Sequence, residues 1–476
     1  MPWVRTVLVG VVVLATMVVV PGQPVAGQES ACGWSDLNSV QGRNVLFIDA
    51  NASYWSARMT VPVPEGGHVE VAGDFPRARY MSLANYAVRR AGEVDHLTDY
   101  QIDPDPGSAN PFRTESDRDA ADRGYTVRVV EGREPADGGA PNTLYTENAD
   151  GTLSSGGRVN VTLRVYLPDN DTDPTGGVGL PTITSVNADG ERTIHPTCLD
   201  DIPRNDGSIT VPGGTGEDPP RWEKFVPNFG GNLDNSWISE TFMPSLGQVL
   251  TLRAKAPTWG LAADSGAQLR YWSLCSYYLN TAVHDCVVDQ DIPVDDDGYW
   301  TIVVSRAGDR PANATTDCGV AWLEAAPDPD NDSVLVFRHQ LPDPSFAQAI
   351  QHIDVGSEEE QMGDYYPAGT YGTVADYESL GCDPRKLVAD VITDIHGLVA
   401  DGELKVGQAR GLTQPLANAI RSLDRDKIRP ACSQLADFVT EANQKVADGA
   451  LTAAAAEDLI AQAEAIQERL RCNDCH

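Results

Sequence analysis

The run Cys472-Asn473-Asp474-Cys475-His476 has the spacing C-x-x-C-H. That spacing is the c-type haem attachment signature, in which two cysteines form thioethers to the porphyrin and the histidine ligates iron. The segment from Cys382 onward contains no Met, so no sixth ligand stands out. The competing chemistry is a disulfide cluster. In an up-down bundle the start of helix one, the start of helix three and the end of helix four share a pole. That pole would gather Cys382, Cys432, Cys472 and Cys475 for two bridges, and this geometry is favoured over haem.

Asp169-Asn170-Asp171-Thr172-Asp173 places side-chain oxygens at alternate positions, as calcium loops do. An EF-hand requires Gly at the sixth position and Glu at the twelfth, where Pro174 and Leu180 stand. Asp169, Asp171 and Asp173 are therefore candidate calcium ligands, set against an ordinary acidic turn. The stretch from Asp328 to Asp332 is a shorter version of the same pattern.

The third constellation is duplicated. Arg79-Tyr80-Met81-Ser82-Leu83-Ala84-Asn85-Tyr86 and Arg270-Tyr271-Trp272-Ser273-Leu274-Cys275-Ser276-Tyr277 both read R-Y-x-S-L-x-x-Y. Each is followed by D-x-x-I, at Asp99 and Asp289, then by a glycine-led strand, then by R-x-x-L-P-D beginning at Arg164 and Arg338. Arg79, Arg270, Arg164, Arg338, Asp99 and Asp289 are the candidate ligand-binding set, because arginine forks suit carboxylates and sugar hydroxyls. The alternative is a scaffold role, each arginine pairing with an aspartate across a sheet. Presence in both copies favours the scaffold. Serine-hydrolase elbows, zinc H-E-x-x-H and P-loops are missing, and the eight histidines do not fall into ligand spacing.

The elements that must position these residues are short alternating apolar runs separated by Pro, Gly and Asp, as in His68 to Val71 and Val159 to Leu167. Such runs predict antiparallel sandwiches. From Gly381 the period becomes helical, with Pro384 opening a helix whose Leu387, Val391, Ile395 and Leu398 share one face. Three further segments follow: one from Ala409 to Leu423, starting late or kinking at Pro415, one from Ile428 to Val446, and one from Thr452 to Leu470. The expected fold is multidomain and mainly β: two tandem jelly-roll-like β-sandwiches, then a small four-helix, two-hairpin module. The expected boundaries are 1–27 signal peptide, 28–198 first β domain, 199–235 linker, 236–355 second β domain, 356–381 linker and 382–476 helical domain. Trp222, Phe225 and Phe229 are expected to pack part of the first linker down.

Arg5 with the apolar run Val7 to Val20 and the small residues Val25-Ala26-Gly27 predicts a secretory leader cleaved near Gln28. No later stretch of about 18 apolar residues follows, so no membrane span is expected after cleavage. In an oxidising compartment the nine cysteines are disulfide candidates. Cys32 with Cys198 would staple the first β region, while Cys275, Cys286 and Cys318 supply one local pair in the second. A formal charge of −34, from 69 acidic against 35 basic residues, excludes nucleic acid as a partner.

The paired amphipathic helices and the Ala-Asp-Gly-x-Leu turns at Ala400 to Leu404 and Ala447 to Leu451 resemble the FIMAH-type helical module. With its C-x-x-C-H, the bundle also looks like the cytochrome c-prime arrangement. The Tyr-x-Ser-Leu strand, Asn51 to Trp55, Asp103 to Ser108 and Leu167-Pro168-Asp169 resemble uncharacterised secreted proteins of actinobacteria with duplicated jelly-roll-like domains. No catalytic residue is defined in that family, so no catalytic assignment carries over. The leading functional expectation is non-catalytic recognition of a glycan or another cell-surface ligand, helped by exposed aromatics such as Trp55, Trp259 and Trp272. The alternatives are a glycan-acting hydrolase using Asp99 or Asp289, and a c-type haem electron carrier. No cofactor is required by the leading expectation.

Overall fold

The computed structural model describes residues 31–470 and 472, apart from 59–60, 89–91, 137, 170–172, 200–215, 226–231, 263–264, 296, 328–331, 383, 424 and 426. The expected leader, Asp171, Asp383, Phe229, Cys475 and His476 lie outside the described residues.

Ten strands form the first sandwich: Asp36–Asn38 (β1), Ala52–Ser56 (β2), His68–Asp74 (β3), Ala78–Tyr86 (β4), Glu93–Thr98 (β5), Gly124–Arg133 (β6), Thr143–Glu147 (β7), Val161–Pro168 (β8), Thr182–Val186 (β9) and Arg192–His195 (β10). They make two sheets, ordered β1-β2-β8-β4-β5 and β10-β9-β3-β6-β7. The second sandwich contains Glu223–Lys224 (β11), Asn235–Phe242 (β12), Val249–Lys255 (β13), Tyr271–Tyr277 (β14), Val283–Val288 (β15), Tyr299–Ser305 (β16), Ala321–Glu324 (β17), Ser333–Gln340 (β18) and Ala368–Gly372 (β19). Its sheets run β11-β12-β18-β14-β15 and β17-β16-β13-β19. The strand order of the two sandwiches corresponds, down to the parallel β6/β7 and β16/β17 pairs.

The repeated octapeptide forms β4 and β14, and both strands are buried along nearly their whole length. The period of two explains this. Met81 and Leu83 enter the core of the first sandwich, and Trp272 and Leu274 that of the second. The alternate residues Tyr80 and Tyr271 face a separate cluster between the sandwiches. Each strand thus has a second buried face because the other copy covers it.

Two stretches expected as linkers contribute strands. Glu223–Lys224 pairs with β12, and Trp222 is buried with its indole donating to Pro367 O at 2.8 Å. Within 356–381, after the short helix Glu358–Met362 (α1), β19 pairs with β13 much as β9 pairs with β3, and the helix Val374–Ser379 (α2) follows. Ala-Gly-Thr-Tyr-Gly has no alternating apolar pattern to advertise a strand. Gly369 is there because a Cβ would lie 2.7 Å from Thr251 O.

The helical module comprises Pro384–Ala400 (α3), Val406–Leu423 (α4), Ile428–Ala447 (α5) and Ala453–Arg469 (α6), with α3 against both α4 and α6. Val391, Ile395, Leu412, Leu416, Leu435, Phe438, Leu459 and Ile466 fill its core. α4 begins at Val406 rather than late, and it continues through Pro415. Ala409 and Leu412 before the proline and Leu416, Ala419 and Leu423 after it are all buried on one face. That packing outweighs the loss of one backbone hydrogen bond.

Four disulfides occur among the described residues: Cys32–Cys198, Cys275–Cys286, Cys318–Cys382 and Cys432–Cys472. The expected four-cysteine pole is therefore corrected. Cys382 turns away from Cys432 and bonds Cys318 in the second sandwich, at the turn Thr316–Cys318 that contacts α3. Among the described residues no helix is long and apolar enough to cross a membrane.

Candidate functional site at the seam between the sandwiches

The structure brings the duplicated arginines and aspartates together, but crosswise. Arg79 of the first sandwich pairs with Asp289 of the second at 3.1 Å, and Arg270 of the second pairs with Asp99 of the first at 3.0 Å. Their side chains are at most 3 % exposed. Each aspartate also accepts a backbone N–H from its own copy's octapeptide strand, Met81 to Asp99 and Trp272 to Asp289, both at 3.0 Å. Burial raises both carboxyls, Asp289 to about 6, against the pull of their arginines.

The other two arginines, Arg338 and Arg164, act at the same seam. Arg338 binds Asp49 at 2.7 Å and the Phe47 carbonyl at 2.8 Å, so a loop of the first sandwich seats on the second. Tyr271 and Ser273 hydroxyls donate to the same Asp49 oxygen, at 2.8 and 2.7 Å. In the reverse direction, Asp234 of the second sandwich accepts from Tyr80 at 2.6 Å and from Thr98 at 3.0 Å, and lies 3.4 Å from His96. Burial works against the His96 cation, yet Asp234 outweighs it and lifts His96 to about 9. Arg164 pairs with Glu93 at 3.2 Å, and Glu93 accepts the Leu233 N–H from the other sandwich at 2.9 Å. Between these charges Tyr80, Tyr166 and Tyr271 meet edge to face.

Asp49, Asp234 and Glu93 are seam partners that sequence reasoning missed. Asp49 lies three residues before β2 and Asp234 one residue before β12, and by strand register Asp234 corresponds to Asn51, so the repeat gave no signal for either.

A cleft of about 640 Å³ opens on one side of this seam. The first sandwich lines it with Tyr100, Arg113 and Glu115, the second with Ala267, Leu269, Arg270 and Asp343. Arg113 is committed, donating to Tyr100 O at 2.9 Å and to Asp103 at 2.9 Å. Two serine donors hold the Asp343 carboxylate below its usual range, the Ser345 hydroxyl first and then its backbone N–H.

The remaining candidates lie elsewhere. Arg118 grips both oxygens of Asp169, at 2.9 and 3.2 Å, and Asp173 caps its turn through Thr175. Among the described residues, the one cluster with metal-ligand types is Asp49, Cys275 and Cys286, and its two sulfurs are joined to each other. Cys472 is likewise bonded to Cys432, which leaves its sulfur no thioether to make. Trp55 and Trp272, expected to be exposed, are buried core residues at 2 % and 1 %, because their strands carry them inward. Trp259 is 38 % exposed and covers the Arg79 guanidinium at 3.9 Å.

No functionally curated protein matches the chain. A crystal structure of an uncharacterized protein from Burkholderia cenocepacia is similar at a TM-score of 0.41 and 10 % identity, covering 74 % of this chain and 85 % of that one. A likeness at that level supports no functional transfer. Residues 388–468 match the FIMAH domain family, and the C-terminal four-helix module is of that type.

Proposed function

We propose that this is a secreted protein that recognises a glycan or another cell-surface ligand without altering it, and that the ligand sits in the seam cleft. The observation that carries this reading is the cleft itself, which has a volume of about 640 Å³ and is lined from both sandwiches with Arg270 in its wall. Clefts of this size at domain contacts are the usual place for ligands. The leader-like N-terminal sequence and the disulfides support an oxidising, extracellular setting. The corresponding strand orders support descent of both sandwiches from one jelly-roll-like unit.

A hydrolase would need a carboxyl of raised pKa facing the cleft, beside a second carboxylate. The raised Asp99 and Asp289 carboxyls are buried and bound to arginine, and Asp343 is held low. Recognition is therefore the better reading. It is tested by a glycan array and a cell-wall pull-down with wild type and Ala267→Trp, which fills the cleft. Binding that Ala267→Trp removes supports the reading. Empty results in both assays, or binding indifferent to Ala267→Trp, overturn it.

A further inference from the structure

A second cleft, of about 820 Å³, opens where the FIMAH-type module docks on the second sandwich. One wall is the loop leaving β15, Gln290 to Pro293, together with the turn Thr316–Cys318, and the other is formed by α3 and α6. The Cys318–Cys382 bridge ties the two walls to each other. Asp291 and Asp317 stand on the sandwich side and Asp390 and Asp394 on the helical side. Among the described lining residues the one cation is Lys386. It lies 3.6 Å from Asp390, and its stem rests on Gly319, where a Cβ would come within 2.7 Å of the lysine Cδ. Asp291, Asp317 and Asp394 are exposed, and the Asp390 side chain is 44 % exposed, so a ligand in the cleft reaches all four carboxylates.

The carboxylates crowd one another. Burial raises the Asp390 carboxyl, Lys386 pulls it back, and Asp317 and Asp394 push it further up. Their oxygens do not converge, however. No three of them lie within 4.8 Å of one another, so the cleft has no cage for a compact divalent ion. No aromatic side chain lines it either, which leaves a saccharide no ring to stack on. Between the charges, Pro293, Leu387 and Ala465 supply apolar lining. Lysine and arginine side chains match both features, with an apolar stem and a charged head. We propose that this cleft docks an extended basic peptide segment of a partner protein, its lysine or arginine stems on the apolar lining and their heads on Asp291, Asp317, Asp390 and Asp394. Complementary charge on the two surfaces selects such a partner and repels an acidic one. This cleft is separate from the one at the seam, and the proposal does not depend on what binds there.

The test is fluorescence anisotropy of labelled pentalysine and labelled pentaglutamate with the whole mature chain at physiological salt, where loose surface attraction is screened. Asp317→Asn with Asp390→Asn removes one carboxylate from each wall. Glu359→Gln with Glu360→Gln removes the same charge from exposed positions of α1, outside the cleft. Wild type should bind pentalysine and not pentaglutamate. The wall variant should weaken pentalysine binding by about tenfold, and the α1 variant by less than about twofold. Asp291→Asn alone should give a smaller loss in the same direction. Equal weakening by the two double variants overturns the proposal, because binding would then belong to overall charge. Absence of pentalysine binding also overturns it. So does displacement of the label by spermine or calcium at lower concentration than by unlabelled pentalysine, which would make the cleft a small-cation site.

Discussion

Arg79 and Arg270 face each other across the seam, and each donates from Nη1 to the other's backbone carbonyl, at 3.4 and 3.2 Å. Each also neutralises an aspartate of the opposite copy. Removing either arginine leaves a buried carboxylate without its partner. Arg79→Met should cost about 3–5 kcal/mol, while Arg79→Met with Asp289→Leu should recover much of that loss. Denaturant titrations of the single and double variants, read as a cycle, check this. A double variant no more stable than Arg79→Met would contradict it.

The arginine partners show how far the sequence could be read. The repeated octapeptide marks β4 and β14, and the R-x-x-L-P-D landmarks fall on β8 and β18. Asp99 and Asp289 could be picked out as partners of the arginines. Their crosswise pairing could not, because two copies with identical patterns specify an internal pair and an exchanged pair equally well. Asp49 and Asp234 were illegible for a related reason. Each is one acidic loop residue among many, and only the fold brings it under an arginine or a tyrosine of the other copy.

The Cys318–Cys382 bridge ties the FIMAH-type module to the second sandwich, closing a loop with a sequence separation of 64. Substituting both cysteines by serine should destabilise the docked module by roughly 4 kcal/mol on a chain-entropy estimate. The helices keep Cys432–Cys472 and their own core, so they should stay folded. Limited proteolysis releasing an intact helical fragment from the variant, but not from wild type, is the expected result. Identical cleavage of both would refute it.

Two histidines bend the stability curve in opposite directions. His339 is wholly buried, accepts the Ile350 N–H on Nδ1, and is pushed by burial down to about 3. Its folded pKa lies below the unfolded value of about 6.5, so its contribution is intact above 6.5 and is lost as pH falls toward 3. The loss at pH 4.5 should be roughly 2–3 kcal/mol. His96, lifted to about 9, behaves oppositely: its contribution is present below 6.5 and lost as pH rises through 9. Chemical denaturation across pH should show His339→Phe flattening the acid limb and His96→Gln the alkaline limb. Parallel curves for wild type and variants would show that these groups are not the cause.

With Cys472 held by Cys432, expression in a host competent for c-type haem attachment should yield protein without a Soret band. An absorption spectrum decides it, and a Soret band that survives denaturation would overturn the assignment.

The crossed pairs give the seam the form of an isologous contact, in which residue i of one half touches j of the other and the reverse also holds. That is the grammar of a homodimer, here written along one polypeptide. The covalent connection between the sandwiches then supplies proximity rather than cohesion. Severing it should leave two unlike halves associated in register. Either half made alone would present an unpaired arginine, an unpaired aspartate and a bare tyrosine cluster to water.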